Sequence, residues 1–174
     1  MRGSNAMSNW ADHLSPCCGH SPDSIVMTVD LAPFQLPDRY ERLIVAPSPQ
    51  GDYVVACLPF FTYGIQFGDL IKLQQPGNMF ERVLESSGLR TLRIAFNSDR
   101  DAGDKHEQLH GKIIQSGLPH EWYGSTYVSV LIRHARDQEH LLSRMDDFLE
   151  NGSVCWEVDP ESFDSGLDAG GAGM

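Results

Sequence analysis

Beyond Arg144 the sequence contains no lysine or arginine, although eight Asp and Glu residues follow it. Basic residues are scarce throughout: 13 Lys and Arg stand against 24 Asp and Glu, a net charge of -11. That balance argues against direct nucleic-acid binding, which needs a positive surface to displace phosphate counterions. No apolar run approaches the length of a membrane span. After Met7 the segment SNWADHLSPCCGHSPDS lacks both the basic and the apolar parts of an export signal. The four cysteines have irregular spacing and supply no disulfide framework. With no export signal, they point to a reducing cytoplasm. Internal repeats are absent, no G-x-G-x-x-G follows a strand-like run, and no local signature of a Ser-His-Asp triad is present.

What is present fits one soluble domain. A chain of 174 residues, 41% hydrophobic and 21% charged, buries a core without needing disulfides. The opening MRGSNAM, residues 1–7, reads as an appended leader. Residues 8–40, rich in Ser, Pro, Asp and Gly, read as a loose arm carrying one β-like run at Ile25 to Asp30. The domain itself spans 41–160, and the acidic, Gly-rich stretch 161–174 reads as a flexible tail.

Within the domain the hydrophobic period changes near residue 98. Before it come the short runs RLIVAP, YVVACL, DLIKLQ, MFERVLES and TLRIAF, which predict a small antiparallel sheet or partial barrel. After it the spacing predicts a helix over Asp104 to Ser116, with Leu109 and Ile113 on one face and Gly117 as the stop. A strand over Thr126 to Arg133 follows. The next helix, Asp137 to Asn151, carries an apolar stripe of Leu141, Leu142, Met145, Phe148 and Leu149, with Asp137 to cap it and Gly152 to end it. SVCWEV closes the series as a strand. The expected class is α+β: an antiparallel β-rich first half, then a β-α-β-α-β ferredoxin-like unit.

Several residues suggest chemistry. His106-Glu107-Gln108-Leu109-His110 matches H-E-x-x-H, in which two histidines one helical turn apart hold zinc and the Glu is general base. A catalytic zinc needs a third protein ligand, and the usual downstream partners are missing: Ile113 and Ser116 stand where Gly and His would continue the motif. His106 and His110 therefore read either as zinc ligands, with Glu107 as base, or as solvated helix residues. His13, Cys17, Cys18 and His20 are the right ligand types for tetrahedral zinc, but adjacent cysteines chelate poorly. They read as a metal-binding arm or as free side chains. Cys57 and Cys155, inside strand-like runs, read as core thiols. Trp122 and Tyr123, in LPHEWYGST, read as loop aromatics that anchor a partner or cap the sheet.

Four stretches carry a family resemblance: LPFFTYGIQFGDLIKL, SSGLRTLRIAF, YVSVLI and ENGSVCWEV. Together they resemble the bacterial family of domain of unknown function 4265 over roughly residues 41 to 158. The resemblance implies a small bacterial protein with no assigned reaction. At Leu89 the chain departs from the family pattern, where a polar residue, commonly His, is usual.

Three functions follow as expectations. The first is a non-catalytic acidic domain of the immunity or antitoxin type, with no cofactor, which covers a basic protein such as a nuclease toxin. Its contact surface is expected at Asp146, Asp147, Glu150, Glu157, Asp159 and Glu161, with Trp122 and Tyr123. The second is a zinc hydrolase using the HEQLH helix. The third is a self-associating regulatory or structural subunit.

Overall fold

The computed structural model describes residues 9–17 and 21–159. The leader read at 1–7, Cys18, His20, Glu161 and the tail read at 161–174 lie outside them. The fold is mixed α+β, with ten strands and three α-helices among the described residues. No helix there is long and apolar enough to cross a membrane.

The first half supplies β1 (Trp10–Asp12), β2 (Ile25–Asp30), β3 (Tyr40–Pro47), β4 (Tyr53–Val55), β5 (Leu70–Gln74) and β6 (Met79–Glu85). They form one sheet of order β1-β3-β2-β6-β5-β4, and β4 pairs back onto β3, so that β2 to β6 close into a barrel-like ring. Period-two alternation turns Leu43 and Val45 of β3 inward, where they meet Met27, Val29, Val55, Ile71 and Leu73. The arm expected to be loose contains two of these strands. β1 runs parallel to the first residues of β3. With little apolar content, it docks through the Trp10 ring stacked on Tyr40 at 5.0 Å and an Asp12–Arg42 ion pair at 2.5 Å.

The second half runs β7 (Arg90–Phe96), α1 (Asp99–Ser116), β8 (His120–Tyr123), β9 (Tyr127–Ile132), α2 (Ala135–Arg144), α3 (Asp146–Glu150) and β10 (Val154–Val158). Its sheet has the order β10-β7-β9-β8, antiparallel at every pairing. Leu92, Ile94 and Phe96 of β7 and Val128, Val130 and Ile132 of β9 pack in one core with Leu109, Ile113, Leu141, Met145 and Phe148 from the helices. All three helices therefore lie on one face. The other face faces the barrel and carries Arg93, Ser129 and Glu121.

Three boundaries differ from the sequence reading. The segment expected to be a loop at HEWY is strand β8, which adds a strand to the β-α-β-α-β series. Its alternation puts a charged residue, Glu121, on the buried side, and so hides the usual apolar signal. α1 starts at Asp99 because the Ser98 hydroxyl accepts the Asp101 N–H at 3.1 Å. The single helix expected over 137–151 is broken at Met145, whose side chain is fully buried, and restarts with Asp146 and Asp147 in its first turn. Asp137 does cap α2, but from inside the helix, accepting the N–H groups of Arg133 and His134 at 3.1 and 3.0 Å.

Candidate functional site

The ionisable side chains that look most reactive converge between the barrel and the second sheet. Glu157, Arg93, Ser129 and Glu121 face one another in register across β10, β7, β9 and β8. This polar row holds the irregular segment after β4, residue by residue. Glu121 accepts the Leu58 N–H at 2.9 Å, and the Ser129 hydroxyl donates to the Pro59 carbonyl at 2.8 Å. Arg93 donates to the carbonyls of Phe60 at 2.8 Å and Thr62 at 2.5 Å, and the Tyr63 hydroxyl donates to Glu157. A segment without a strand ladder must find partners for its backbone elsewhere, and the row provides them. LPFFTY is therefore a strap lying across the sheet.

Glu41 anchors the strap from the barrel side. It shares the inward parity of Leu43 and Val45 at the barrel's end, and its carboxylate accepts the N–H groups of Phe60, Phe61 and Thr62 at 2.6, 3.1 and 2.8 Å, with the Thr62 hydroxyl at 2.7 Å. His13 completes the knot. Its Nδ1 lies 2.6 Å from Glu121 and its Nε2 3.1 Å from Glu41, and its ring stacks on Phe60 at 4.2 Å. A ring that meets a carboxylate at each nitrogen donates at both, and so is an imidazolium. Burial alone would lower the His13 pKa. The Glu121 and Glu41 carboxylates at its two nitrogens outweigh it, and hold the pKa well above its ordinary value. Burial works against the Glu41 carboxylate in the same way, but His13 and the strap N–H groups pull its pKa down. Burial pushes the Cys57 thiol up, so the thiolate is disfavoured.

Apart from Glu157 and Tyr63 these groups are buried: Glu41, Cys57 and Ser129 are 0% exposed and Arg93 1%. Cys57 is a core thiol, as expected. Cys155, expected to be core, is exposed, because β10 is an edge strand whose odd-numbered residues lie beyond the strap. His13 was expected among metal ligands or free side chains and is instead this buried connector. Cys17 lies beside it, giving its N–H to Glu121 at 3.1 Å. The sequence signals for the knot are charges at strand positions that alternation turns inward, Glu41 and Arg93.

The HEQLH residues lie apart from the knot. Leu109 packs in the core as expected. His106 and His110 are half-buried, 5.9 Å apart between ring centroids, and both rest against Trp122, His106 at 4.3 Å. The His106 Nδ1 lies 3.0 Å from the Ser125 carbonyl and donates to it. Glu107 is exposed. Among the described residues no three His, Cys, Asp or Glu side chains form a metal-holding group.

The acidic residues divide. Asp146, Asp147 and Glu150 are exposed on α3, and Glu157 is exposed on β10. Asp147 pairs with Lys112 at 3.0 Å. Asp159 is 1% exposed and pairs with Arg93 at 3.2 Å, so it is an internal partner and leaves the expected contact surface. Burial raises its pKa against the pull of Arg93. Tyr123 packs on Phe60 and Phe61, and Trp122 on the helix core. Both are half-buried residues of β8.

Beside Glu157 the helix-free face stays open. The next row across the sheet, Cys155, Ala95 and Tyr127, joins Arg93, Trp156 and Glu157 around a cavity of about 370 Å³. Tyr63, which bonds Glu157 at its margin, has its pKa pushed up to about 12, first by burial and then by that carboxylate.

Among curated proteins none matches the chain. A crystal structure described as that of a hypothetical protein from Neisseria gonorrhoeae is similar in fold, with a TM-score of 0.53 and 15% identity over 80% of this chain and 94% of that one. The family model described as domain of unknown function (DUF4265) matches residues 41–156, a span that holds Glu41, the LPFFTY strap and Arg93, Ser129 and Glu121 of the polar row, and ends one residue before Glu157. The chain belongs to the DUF4265 family.

Proposed function

We propose that this protein is a non-catalytic, cytoplasmic binding domain that docks a basic protein, in the manner of an immunity or antitoxin protein covering a nuclease-like toxin. The observation that carries this reading is the exposure of Asp146, Asp147, Glu150 and Glu157 on two consecutive elements, in a stretch with no lysine or arginine after Arg144. Such a patch steers a positive partner and penalises a negative one. The interior supports the same reading, because Glu41, Glu121 and Arg93 hydrogen-bond the strap backbone, His13 links the two carboxylates, and Asp159 pairs with Arg93 and Gln66. The free thiols at Cys57 and Cys155 fit a reducing compartment. The antiparallel order β10-β7-β9-β8, with helices on one face, supports reading the second half as a ferredoxin-like unit that presents β10 at its edge.

Co-expression with the protein encoded beside its gene tests the proposal. A complex is expected whose affinity falls steeply with salt and is lost when Asp146, Asp147, Glu150 and Glu157 are changed together to Lys. A complex indifferent to that charge reversal overturns the assigned surface, and absence of any complex overturns the immunity reading.

A further inference from the structure

Among the described residues β10 is an edge strand, hydrogen-bonded on one side only, to β7. The ladder fixes which of its backbone groups are used. The Asn97 N–H donates to the Ser153 carbonyl and the Asp159 N–H to the Thr91 carbonyl, both at the ends of the β10–β7 register. Hydrogen-bonded pairs alternate along an antiparallel ladder, so residues 155 and 157 also bond inward to β7. The N–H and C=O groups of Val154, Trp156 and Val158 point the other way, to the open edge. The Phe96 N–H, opposite Val154, likewise turns away from β10, to the Thr126 carbonyl.

Edge strands are commonly blunted by lysine, proline or a bulge. β10 has none of these, and its register with β7 is unbroken over all five residues. Its central side chains are open to solvent: Cys155, Trp156 and Glu157 all border the 370 Å³ cavity and are exposed, Trp156 by 40%. The exposed charges on β10 and on the helix just before it have one sign, Glu157 on the strand and Asp146 and Glu150 on α3.

We infer that β10 accepts an extended basic segment of the partner, which joins the sheet as a fifth strand. Its main chain bonds the open groups of Val154, Trp156 and Val158. A lysine or arginine pairs with Glu157, and an apolar residue covers Trp156. Main-chain bonds give such a contact its affinity and alternate side chains its selectivity. A second copy of this chain would bring like charge against like at Glu157, which disfavours self-pairing. The inference rests on the proposed function and deepens it by naming the shape of the partner.

The probe is a short, end-blocked peptide alternating lysine and valine, compared with its glutamate-valine counterpart and with a version methylated on alternate backbone nitrogens. Binding to the full chain is read by fluorescence anisotropy, and amide protection by hydrogen exchange. The lysine peptide is expected to bind and to slow exchange at Val154, Trp156 and Val158. Methylation is expected to weaken it about tenfold or more, and the glutamate peptide is not expected to bind. Trp156→Pro removes an outward N–H that β7 does not use, and is expected to abolish binding while the protein stays folded; Trp156→Ala, which keeps that N–H, is expected to retain part of it. Equal binding of the methylated peptide without amide protection overturns strand addition and leaves the acidic docking surface standing. No binding by the lysine peptide, or protection of those amides already present without peptide, also overturns strand addition. In those cases the co-expressed complex decides the docking reading separately.

Discussion

Changing Glu41 to Ala is the sharpest perturbation of this fold, because one carboxylate there serves five donors: the His13 ring, three backbone N–H groups of the strap and the Thr62 hydroxyl. Glu41 is 0% exposed, so water cannot replace it without opening the junction. Each buried donor left unsatisfied costs about 1–3 kcal/mol, and stranding one partner of a buried ion pair costs about 3–5 kcal/mol. These costs overlap, since the strap relaxes as a unit. A loss of about 4–6 kcal/mol is a reasonable expectation, a large share of the roughly 5–15 kcal/mol that holds a domain folded. Glu41→Gln keeps the shape and one acceptor oxygen but turns an amide NH₂ towards donors, and is expected to cost about half as much. Urea unfolding followed by the fluorescence of Trp10, Trp122 and Trp156 measures both. Glu157→Gln, a change at an exposed carboxylate, is the control and is expected to cost less than about 1 kcal/mol. A Glu41→Ala protein that unfolds within about 1 kcal/mol of the parent, with an unchanged urea slope, would refute the claim that Glu41 anchors the strap.

The same knot sets a pH dependence. The folded pKa of His13 is raised, so its contribution is complete below the ordinary histidine pKa and is lost as pH rises through the folded value. The folded pKa of Glu41 is lowered, so its contribution is complete above the ordinary glutamate pKa and is lost as pH falls through the folded value. Urea midpoints across pH should fall at both ends, and His13→Gln should remove the alkaline fall; an unchanged alkaline limb in that variant contradicts the imidazolium. A disulfide reagent is expected to label exposed Cys155 quickly and buried Cys57 only on unfolding, as peptide mass mapping would read; fast native labelling of Cys57 would mean that the strap opens. Equilibrium dialysis of untagged protein is expected to load no stoichiometric zinc at His106 and His110, and one bound zinc lost in His106→Ala/His110→Ala would restore the hydrolase reading.

Much of the architecture was legible in the sequence because it is written in local spacing. Leu109 and Ile113 mark the core face of α1, and Gly117 ends it in the left-handed conformation, φ 70°. Alternation placed the strands β3, β5, β7, β9 and β10 near their observed positions. The site was less legible. Glu121 looked like a loop residue because a buried carboxylate breaks the apolar pattern that announces a strand. His13 looked like part of a loose arm, since nothing near it in sequence explains its burial. Asp159 looked like one more acid in an acidic end, and only Arg93, 66 residues earlier, makes it internal. Trp122 and Tyr123 read equally as anchors or as caps, because adjacent aromatics in a short polar stretch give no sign of which rings will cover them.

By itself the sequence determined the class of fold, the boundary between its β-rich and helix-bearing halves, the family resemblance and the sign of the charge near its end. Those properties depend on residue type and on separations of a few positions. Only the tertiary structure decided which charges are surface and which are structural. Whether a carboxylate attracts a partner or holds a strap depends on what lies within about 3 Å of it, and those neighbours come from strands far apart in the chain. The open edge of β10 was decided in the same way, because a strand's pairing, unlike its alternation, depends on which other strands take the places beside it.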